Sequence, residues 1–254
     1  MADTTASMSF LEHLEELRRR LITCAAAVLI LSIIGYFFSG PMVDFITKPA
    51  GQVYFMSPTE GFSVRIKISL FGGLIAAVPV ILYQLWRFVA PGLYKHEIHV
   101  VLPVVFFGTV FFLGGSAFCF FLVLPVGVKF LLGFGTENLK PLISVGRYVS
   151  FAAWMTLAFG AVFEMPIIAY FLGKAGLITH RTLSRGRRYA IIIILIVAGL
   201  ITPSPDVFSQ MMLAGPLYIL YEASIVLVRL TGKRKPEETN PKNEVDTSGS
   251  GLAG

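Results

Sequence analysis

Residues 100–127, VVLPVVFFGTVFFLGGSAFCFFLVLPVG, run for 28 residues without a charged side chain. A helix rises about 1.5 Å per residue and the hydrocarbon core of a bilayer is about 30 Å thick, so this stretch can cross it. The whole chain shares this bias: 55% of its 254 residues are hydrophobic and only 14% are charged. Soluble domains carry about 25% charged residues, so the sequence predicts a polytopic membrane protein.

Five further apolar stretches alternate with polar connections that contain the turn-forming residues Gly, Pro and Ser. The predicted spans are 21–38, 68–90, 100–127, 149–172, 189–201 and 207–228. The sequence therefore predicts an all-α integral membrane protein with six transmembrane helices. Prolines within the spans predict tilted or kinked helices that form a curved, concave wall. These prolines are Pro79, Pro103, Pro125, Pro166 and Pro216.

The basic residues predict the orientation of the chain. Six spans place both termini on one side, and 15 of the 21 Lys and Arg residues fall in segments on that side. Because cytoplasmic segments carry the excess of basic residues, we expect both termini to be cytoplasmic. The net charge of +6 then reflects topology, and we expect no nucleic-acid partner. The stretch at 21–38 exceeds a signal-peptide core, so we expect it to remain as the first span.

The N-terminal segment, residues 1–20, has apolar side chains at helical spacing. This pattern predicts an amphipathic helix that lies in the cytoplasmic interface before the chain turns into the bilayer. Its charges allow two local pairs one helical turn apart, Glu15–Arg19 and Glu16–Arg20.

The connections and the last two spans are also informative. The first outer loop, 39–67, is long and apolar enough to pack as a cap, and we expect the second outer loop to join it. Span five has only 13 apolar residues, and span six has 15 between Asp206 and Glu222, so both are predicted to be short. The tail at 231–254 is polar and predicts disorder.

Glu164 is the only acidic residue deep within a predicted span. A charge at mid-bilayer costs at least about 2.5–3.5 kcal/mol, so it requires a partner, water or a proton. Gln84 in span two falls at almost the same depth, and its amide could donate to the carboxyl group. This pair predicts either a hydrogen bond that ties two helices together or a site that receives a polar group from another membrane helix.

Two further carboxylates, Glu16 and Glu97, fall at the same cytoplasmic boundary on separate segments. Arginine binds carboxylates through a planar fork, so two such residues could bind two arginines of an extended peptide. The alternative from spacing alone is that both are solvated surface carboxylates.

We find no pattern that predicts catalysis. The four histidines, His13, His96, His99 and His180, do not share a span, so we expect no metal site, and no cofactor motif is present. An intramembrane hydrolase would need a nucleophile and a base, which the sequence does not offer. A proton-coupled small-molecule transporter that uses Glu164 is the alternative function, although no inverted repeat supports it.

Five groups of residues carry a resemblance to a known family. In chain order they are HLEELRRR at 13–20, SPTEGF at 57–62, YQLW at 83–86 followed by PGLYKHE at 91–97, FGAVFEMP at 159–166, and TPSPDVFSQ at 202–210 leading to LYE at 220–222. With these motifs the chain resembles TatC, the multispanning core subunit of the twin-arginine protein translocase.

The resemblance implies a receptor, not an enzyme, in the bacterial cytoplasmic membrane. It would bind signal peptides with paired arginines on folded proteins, which are exported by the proton motive force. By motif, Glu16 and Glu97 correspond to the two carboxylates that engage the arginine pair, with Arg18 beside them.

The resemblance also implies partner proteins in the bilayer, the single-span subunits TatA and TatB, and a complex with several copies of this chain. Glu164 with Gln84 would meet a polar position of these partner helices. Leu200, Phe208 and Gln210 would form the edge on which the partners dock, and Asp206 matches an acid at the outer turn.

Overall fold

The computed structural model describes residues 10–93, 101–133, 141–201 and 207–231. Within these ranges the chain is helical and forms no β-strand. The helices are α1 (Phe10–Phe37), α2 (Ser39–Thr47), α3 (Glu60–Leu93), α4 (Val101–Phe118), α5 (Leu124–Leu132), α6 (Val145–Phe163), α7 (Met165–Lys174), α8 (His180–Arg185), α9 (Arg187–Ile201) and α10 (Val207–Thr231). A 3₁₀ turn, Lys48–Ala50, follows α2, and a π-helical turn, Cys119–Val123, joins α4 to α5.

Five helical stretches in the described part of the chain are long and apolar enough to cross a membrane. They are Glu12–Phe37, Glu60–Phe88, Leu102–Leu132, Val145–Lys174 and Gln210–Leu230. The third stretch contains α4, the π-helical turn and α5, and the fourth contains α6 and α7. The chain is therefore a multi-pass membrane protein with an all-helical fold.

Two of these stretches change their backbone geometry next to a proline, which lacks a backbone donor. The π-helical turn ends just before Pro125, and α6 ends shortly before Pro166. Between α6 and α7 lies Glu164, whose N–H donates to the Ala161 oxygen at 3.2 Å and whose carbonyl accepts from the Ile168 N–H at 2.9 Å. The irregular backbone before Pro166 thus places a carboxyl group at a break within the fourth stretch.

The N-terminal segment and the first span form one helix. α1 is continuous from Phe10 to Phe37, so the prediction of a separate interfacial helix followed by a turn is wrong. α1 contains no proline, and its one glycine, Gly35, lies near its C-terminal end, so no residue breaks the helix. α1 packs closely along α3, since a Cβ on Gly35 would lie 3.4 Å from the Ser69 carbonyl oxygen.

The last two helices differ in length. α9 has 15 residues and reaches about 22 Å, which is short of the hydrocarbon core, as predicted. α10 has 25 residues and continues past Glu222 to Thr231, so the prediction that span six is short is wrong. Within this helix the Glu222 carboxylate accepts from Arg187 Nη2 at 2.8 Å and from the Tyr218 hydroxyl at 2.9 Å.

Three clusters of buried apolar side chains hold the helices together. One joins α6 to α9 and α10 around Phe159 and Leu213. The second joins α3 to α4 and α7 around Leu82. The third joins α3 to α5 and α6 around Ile68 and Val149, near α2. In a bilayer such packing stabilises the fold through van der Waals contact, because lipid tails are as apolar as the side chains.

The two predicted outer loops pack together, as the sequence led us to expect. The Tyr54 N–H donates to the Ile143 oxygen at 2.9 Å, and the Val145 N–H donates to the Tyr54 oxygen at 3.0 Å. The first of these loops is shorter than predicted, because it contains α2 and the first turns of α3. We call this part of the molecule the α2 end and the opposite end, which holds Glu16, the Glu16 end.

Candidate functional site

At the Glu16 end, Glu16 and Arg20 of α1 form a polar cluster with Gln84 of α3. Arg20 Nε donates to Glu16 Oε1 at 3.1 Å, and Nη2 of the same guanidinium also contacts that oxygen. Arg20 Nη1 lies 3.4 Å from both the side-chain and the backbone oxygen of Gln84. The Arg20 side chain is only 13% exposed and that of Glu16 is 26% exposed, so the ion pair is partly shielded from solvent.

Helical geometry and packing explain this arrangement. Glu16 and Arg20 are four residues apart and therefore lie on one face of α1. One turn earlier, the His13 ring stacks on the Phe88 ring of α3, with centroids 4.4 Å apart and planes at 20°. This stack fixes α1 against α3 and so brings Gln84 within reach of Arg20.

The other residues predicted for this site are placed differently. Arg18 is exposed and lies two residues before Arg20, which rotates its side chain by about 200° around α1. Glu97 lies outside the described residues, as does Asp206. Of the two predicted local pairs, Glu16–Arg20 is confirmed, and Glu15–Arg19 is absent from the ion pairs of the described chain.

A second polar site surrounds Glu164, at the break between α6 and α7. Glu164 is 6% exposed, and neither of its carboxyl oxygens has a hydrogen-bond partner among the described residues. The carboxyl group faces Gly108 of α4, where an added Cβ would lie 3.1 Å from Oε2 and 3.0 Å from the Leu82 side chain. Glu164 therefore lies in an apolar environment, with its acceptor oxygens unused.

The predicted pairing of Gln84 with Glu164 is wrong in this structure. The side chain of α3 that lies beside Glu164 is Leu82, and Gln84 bonds to Arg20 instead. Depth within the membrane does not decide which way a side chain points. Two residues along a helix correspond to a rotation of about 200°, so Gln84 faces α1 while Leu82 faces Glu164.

The predicted docking edge on α9 and α10 contains both exposed and buried residues. Leu200 is 81% exposed, and it continues a row of exposed apolar side chains along α9. The row consists of Tyr189, Ile192, Ile196 and Leu200. Gln210 does not face outward, because its Nε2 donates to the Leu195 oxygen of α9 at 2.8 Å. The side chain of Phe208 lies outside the described part of the structure.

Sequence reasoning missed a third acidic centre, Glu60, at the α2 end. Its carboxylate accepts from the Gly146 N–H at 2.7 Å and also from the Ser144 hydroxyl and the Met56 N–H. We call these four residues the Glu60 clamp, since they join the start of α3 to the start of α6. The sequence does contain a pattern that points to Glu60: the spacing of Ser57 and Glu60 fits a capping box at the start of a helix.

The family assignment follows from comparison with known proteins. The family model described as Sec-independent protein translocase protein (TatC) matches residues 12–216, most of the chain. The chain belongs to the TatC family. The resemblance predicted from the five motif groups is thus confirmed.

TatC relatives and structures agree with this assignment. The TatC protein of Desulforapulum autotrophicum is 43% identical over 251 residues, which cover 95% of this chain and 93% of the relative. That of Aquifex aeolicus is 43% identical over 238 residues, which cover 91% and 98%. A crystal structure of the twin arginine translocase receptor TatC is 42% identical with a TM-score of 0.78, covering 87% of this chain and 99% of that chain. A second, in DDM, has a TM-score of 0.79 at the same identity and covers 86% and 100%.

As a TatC protein, the chain is a component of a Sec-independent protein translocase and a transport protein, not an enzyme. Family membership favours protein translocation over the alternatives of small-molecule transport and intramembrane hydrolysis. The polar sites described above therefore belong to a protein that handles other polypeptides.

Proposed function

We propose that the chain is the receptor for signal peptides with paired arginines and that Glu16 binds one of these arginines. The supporting observation is that the Glu16 carboxylate already binds a guanidinium, that of Arg20, in a partly shielded position. Charge-assisted hydrogen bonds of this type are roughly twice as strong as neutral ones. The family motif adds Glu97 as the second carboxylate, and the exposed Arg18 supplies a donor for the carbonyl groups of the peptide.

The proposed topology places the Glu16 end in the bacterial cytoplasm. Besides the five long stretches, the proposal counts α9 as a short sixth span, which puts both termini on the cytoplasmic side. The excess of basic residues on that side supports the orientation. The helices would then form a curved wall, and the short α9 would lie where the bilayer is thinned to match it.

We further propose that TatA- and TatB-type single-span proteins dock on the exposed face of α9 and that Glu164 receives a polar group from one of their helices. The row of apolar side chains that ends at Leu200 supports docking. The buried oxygens of Glu164, which have no partner in the part of the chain that the structure describes, support the polar contact, because a buried acceptor without a partner is costly. Gln84 has no part in this second site, since it bonds to Arg20.

Peptide binding by the full chain in nanodiscs, with its partner subunits present, tests the receptor proposal. We expect Glu16→Gln to weaken binding of an Arg-Arg signal peptide by roughly 10-fold to 100-fold, since it removes a charged acceptor. The control is Glu15→Gln, which removes the same charge from an exposed neighbour and should change binding less than twofold. Equal binding of Arg-Arg and Lys-Lys peptides by the unmodified protein would contradict the proposal.

A further inference from the structure

The Glu16 carboxylate, proposed above as the acceptor for a peptide arginine, is already paired with Arg20. Two nitrogens of Arg20, Nε and Nη2, contact the same oxygen of Glu16. Arg20 presents the same guanidinium group that a signal-peptide arginine would bring. A guanidinium group from the chain itself therefore occupies the site proposed for the guanidinium group of the peptide.

Arg20 also has a second set of acceptors. Its Nη1 lies 3.4 Å from Gln84 Oε1 and 3.4 Å from the Gln84 carbonyl oxygen, both longer than the contact of Nε with Glu16. These acceptors are neutral, whereas Glu16 is a carboxylate. If Arg20 left Glu16, its guanidinium would still have hydrogen-bond partners on α3, which lowers the free-energy cost of leaving.

We propose that Arg20 is an internal competitor that a signal-peptide arginine must displace from Glu16, and that Gln84 holds Arg20 after displacement. This inference rests on the proposed function of Glu16. The bonds exchange without covalent chemistry: the peptide guanidinium donates to the Glu16 carboxylate, and Arg20 turns its donors to Gln84. The number of charge-assisted contacts at Glu16 is conserved.

Competition of this kind sets a threshold for binding. An internal competitor lowers the apparent affinity of every peptide by the same factor, because the free site is populated only part of the time. A lysine ammonium forms a weaker match to the carboxylate than the planar guanidinium fork. A weak ligand therefore falls below useful occupancy, while a peptide with two arginines still binds. Arg20 acts as a positioning residue that sets this threshold without contacting the bound peptide.

The test measures binding of fluorescent Arg-Arg and Lys-Lys signal peptides to the full chain in nanodiscs with its partner subunits. We expect Arg20→Gln to tighten binding of both peptides by a similar factor, roughly fivefold, and to leave the ratio of their affinities unchanged. The matched control is Arg19→Gln, which removes the same charge from an exposed neighbour. We expect it to change either affinity by less than twofold.

Gln84 provides an independent arm. Gln84→Leu should weaken Arg-Arg binding by roughly threefold when Arg20 is present, since the displaced guanidinium loses its second acceptors. In the Arg20→Gln background the same change should have no effect. This non-additivity is the signature of a shared partner, and a merely structural role for Gln84 would give the same loss in both backgrounds.

The outcomes separate this inference from the receptor proposal. If Glu16→Gln abolishes binding but Arg20→Gln weakens it, leaves it unchanged or acts no differently from Arg19→Gln, the competitor is overturned and the receptor stands. If Glu16→Gln leaves binding unchanged, both fail. Arg20→Lys keeps the charge and, should Arg20→Gln not fold, replaces it: tighter binding supports the competitor, and unchanged or weaker binding overturns it.

Discussion

Glu16 and Glu164 are both acidic residues of spanning segments, but their surroundings are opposite. Glu16 is partly exposed and bonded to Arg20, whereas Glu164 is buried and has no hydrogen-bond partner among the described residues. A carboxylate with an exchangeable partner suits a ligand that arrives from water and leaves again. An acid with unused oxygens in an apolar environment suits a polar group that arrives within the membrane. These surroundings are the basis for proposing a peptide site at Glu16 and a partner-helix site at Glu164.

Glu60 differs from both acids, because its hydrogen-bond partners are backbone and hydroxyl groups of the folded chain itself. We expect Glu60→Gln to lower the free energy of unfolding, because the clamp loses charge-assisted bonds to backbone and hydroxyl donors. Peptide binding should stay within twofold. The measurement is equilibrium unfolding in mixed micelles, with the exposed Asp44→Asn on α2 as a charge-matched control. A loss of stability no larger than that of Asp44→Asn would show that the clamp does not hold the α2 end.

Glu164 should behave in the opposite way. Because its oxygens lack partners among the described residues, we expect Glu164→Leu to raise the free energy of unfolding by about 1–3 kcal/mol. The same substitution should lower photocrosslinking from α9 to partner helices several-fold. Glu164→Gln, which keeps the size of the side chain, distinguishes the loss of the charge from the change in shape. Destabilisation by both substitutions would mean that the carboxyl group has a partner within the chain.

A substitution at Gly108, which faces the Glu164 carboxyl group, changes the space around this group without altering Glu164 itself. In Gly108→Ala the new Cβ would lie 3.1 Å from Glu164 Oε2 and 3.0 Å from Leu82, so a neighbour must shift. We expect a loss of about 1 kcal/mol in stability and weaker crosslinking to partner helices, with peptide binding unchanged. Gly114→Ala on the same helix is the control, since among the described residues an added Cβ there meets no atom within 4 Å beyond its own helix backbone and chain neighbours. Identical effects of the two substitutions would argue against a site at Gly108.

The smallest effect is expected at Glu222, whose ion pair with Arg187 is more exposed than that of Glu16. Glu222→Gln should change the free energy of unfolding by about 0–1 kcal/mol, because exposed ion pairs contribute little. Peptide binding should remain within twofold. If this substitution weakened Arg-Arg peptide binding as strongly as Glu16→Gln, partial shielding would not be what distinguishes the proposed site.

Much of the fold could be predicted from hydrophobic length, and the failures have specific physical causes. The stretch at 100–127 could be identified as a span because its apolar length matches the bilayer. Span six was predicted at 207–228 but expected to be short, because its apolar stretch was counted only from Asp206 to Glu222. A single sequence does not show that Arg187 pairs with the Glu222 carboxylate. α1 was divided in two although its sequence contains no helix-breaking residue.

The candidate sites were predicted less well than the helices. The depths of Gln84 and Glu164 agree, but periodicity gives no direction around the helix until the neighbouring helices are known, and the two side chains do not meet. The Ser57–Glu60 spacing fits a capping box at a helix start, but two of the donors to Glu60, Ser144 and Gly146, lie more than 80 residues later in the chain. Local spacing predicted the Glu16–Arg20 pair because both residues belong to one helix.

The central claim is that the two acids serve different ligands. The most direct test measures Arg-Arg peptide binding and partner-helix photocrosslinking in parallel for Glu16→Gln and Glu164→Gln, each in the full chain with its partner subunits. We predict that Glu16→Gln loses peptide binding and keeps the crosslinks, while Glu164→Gln keeps peptide binding and loses the crosslinks. Loss of both properties in both variants, or the reverse assignment, would contradict the account.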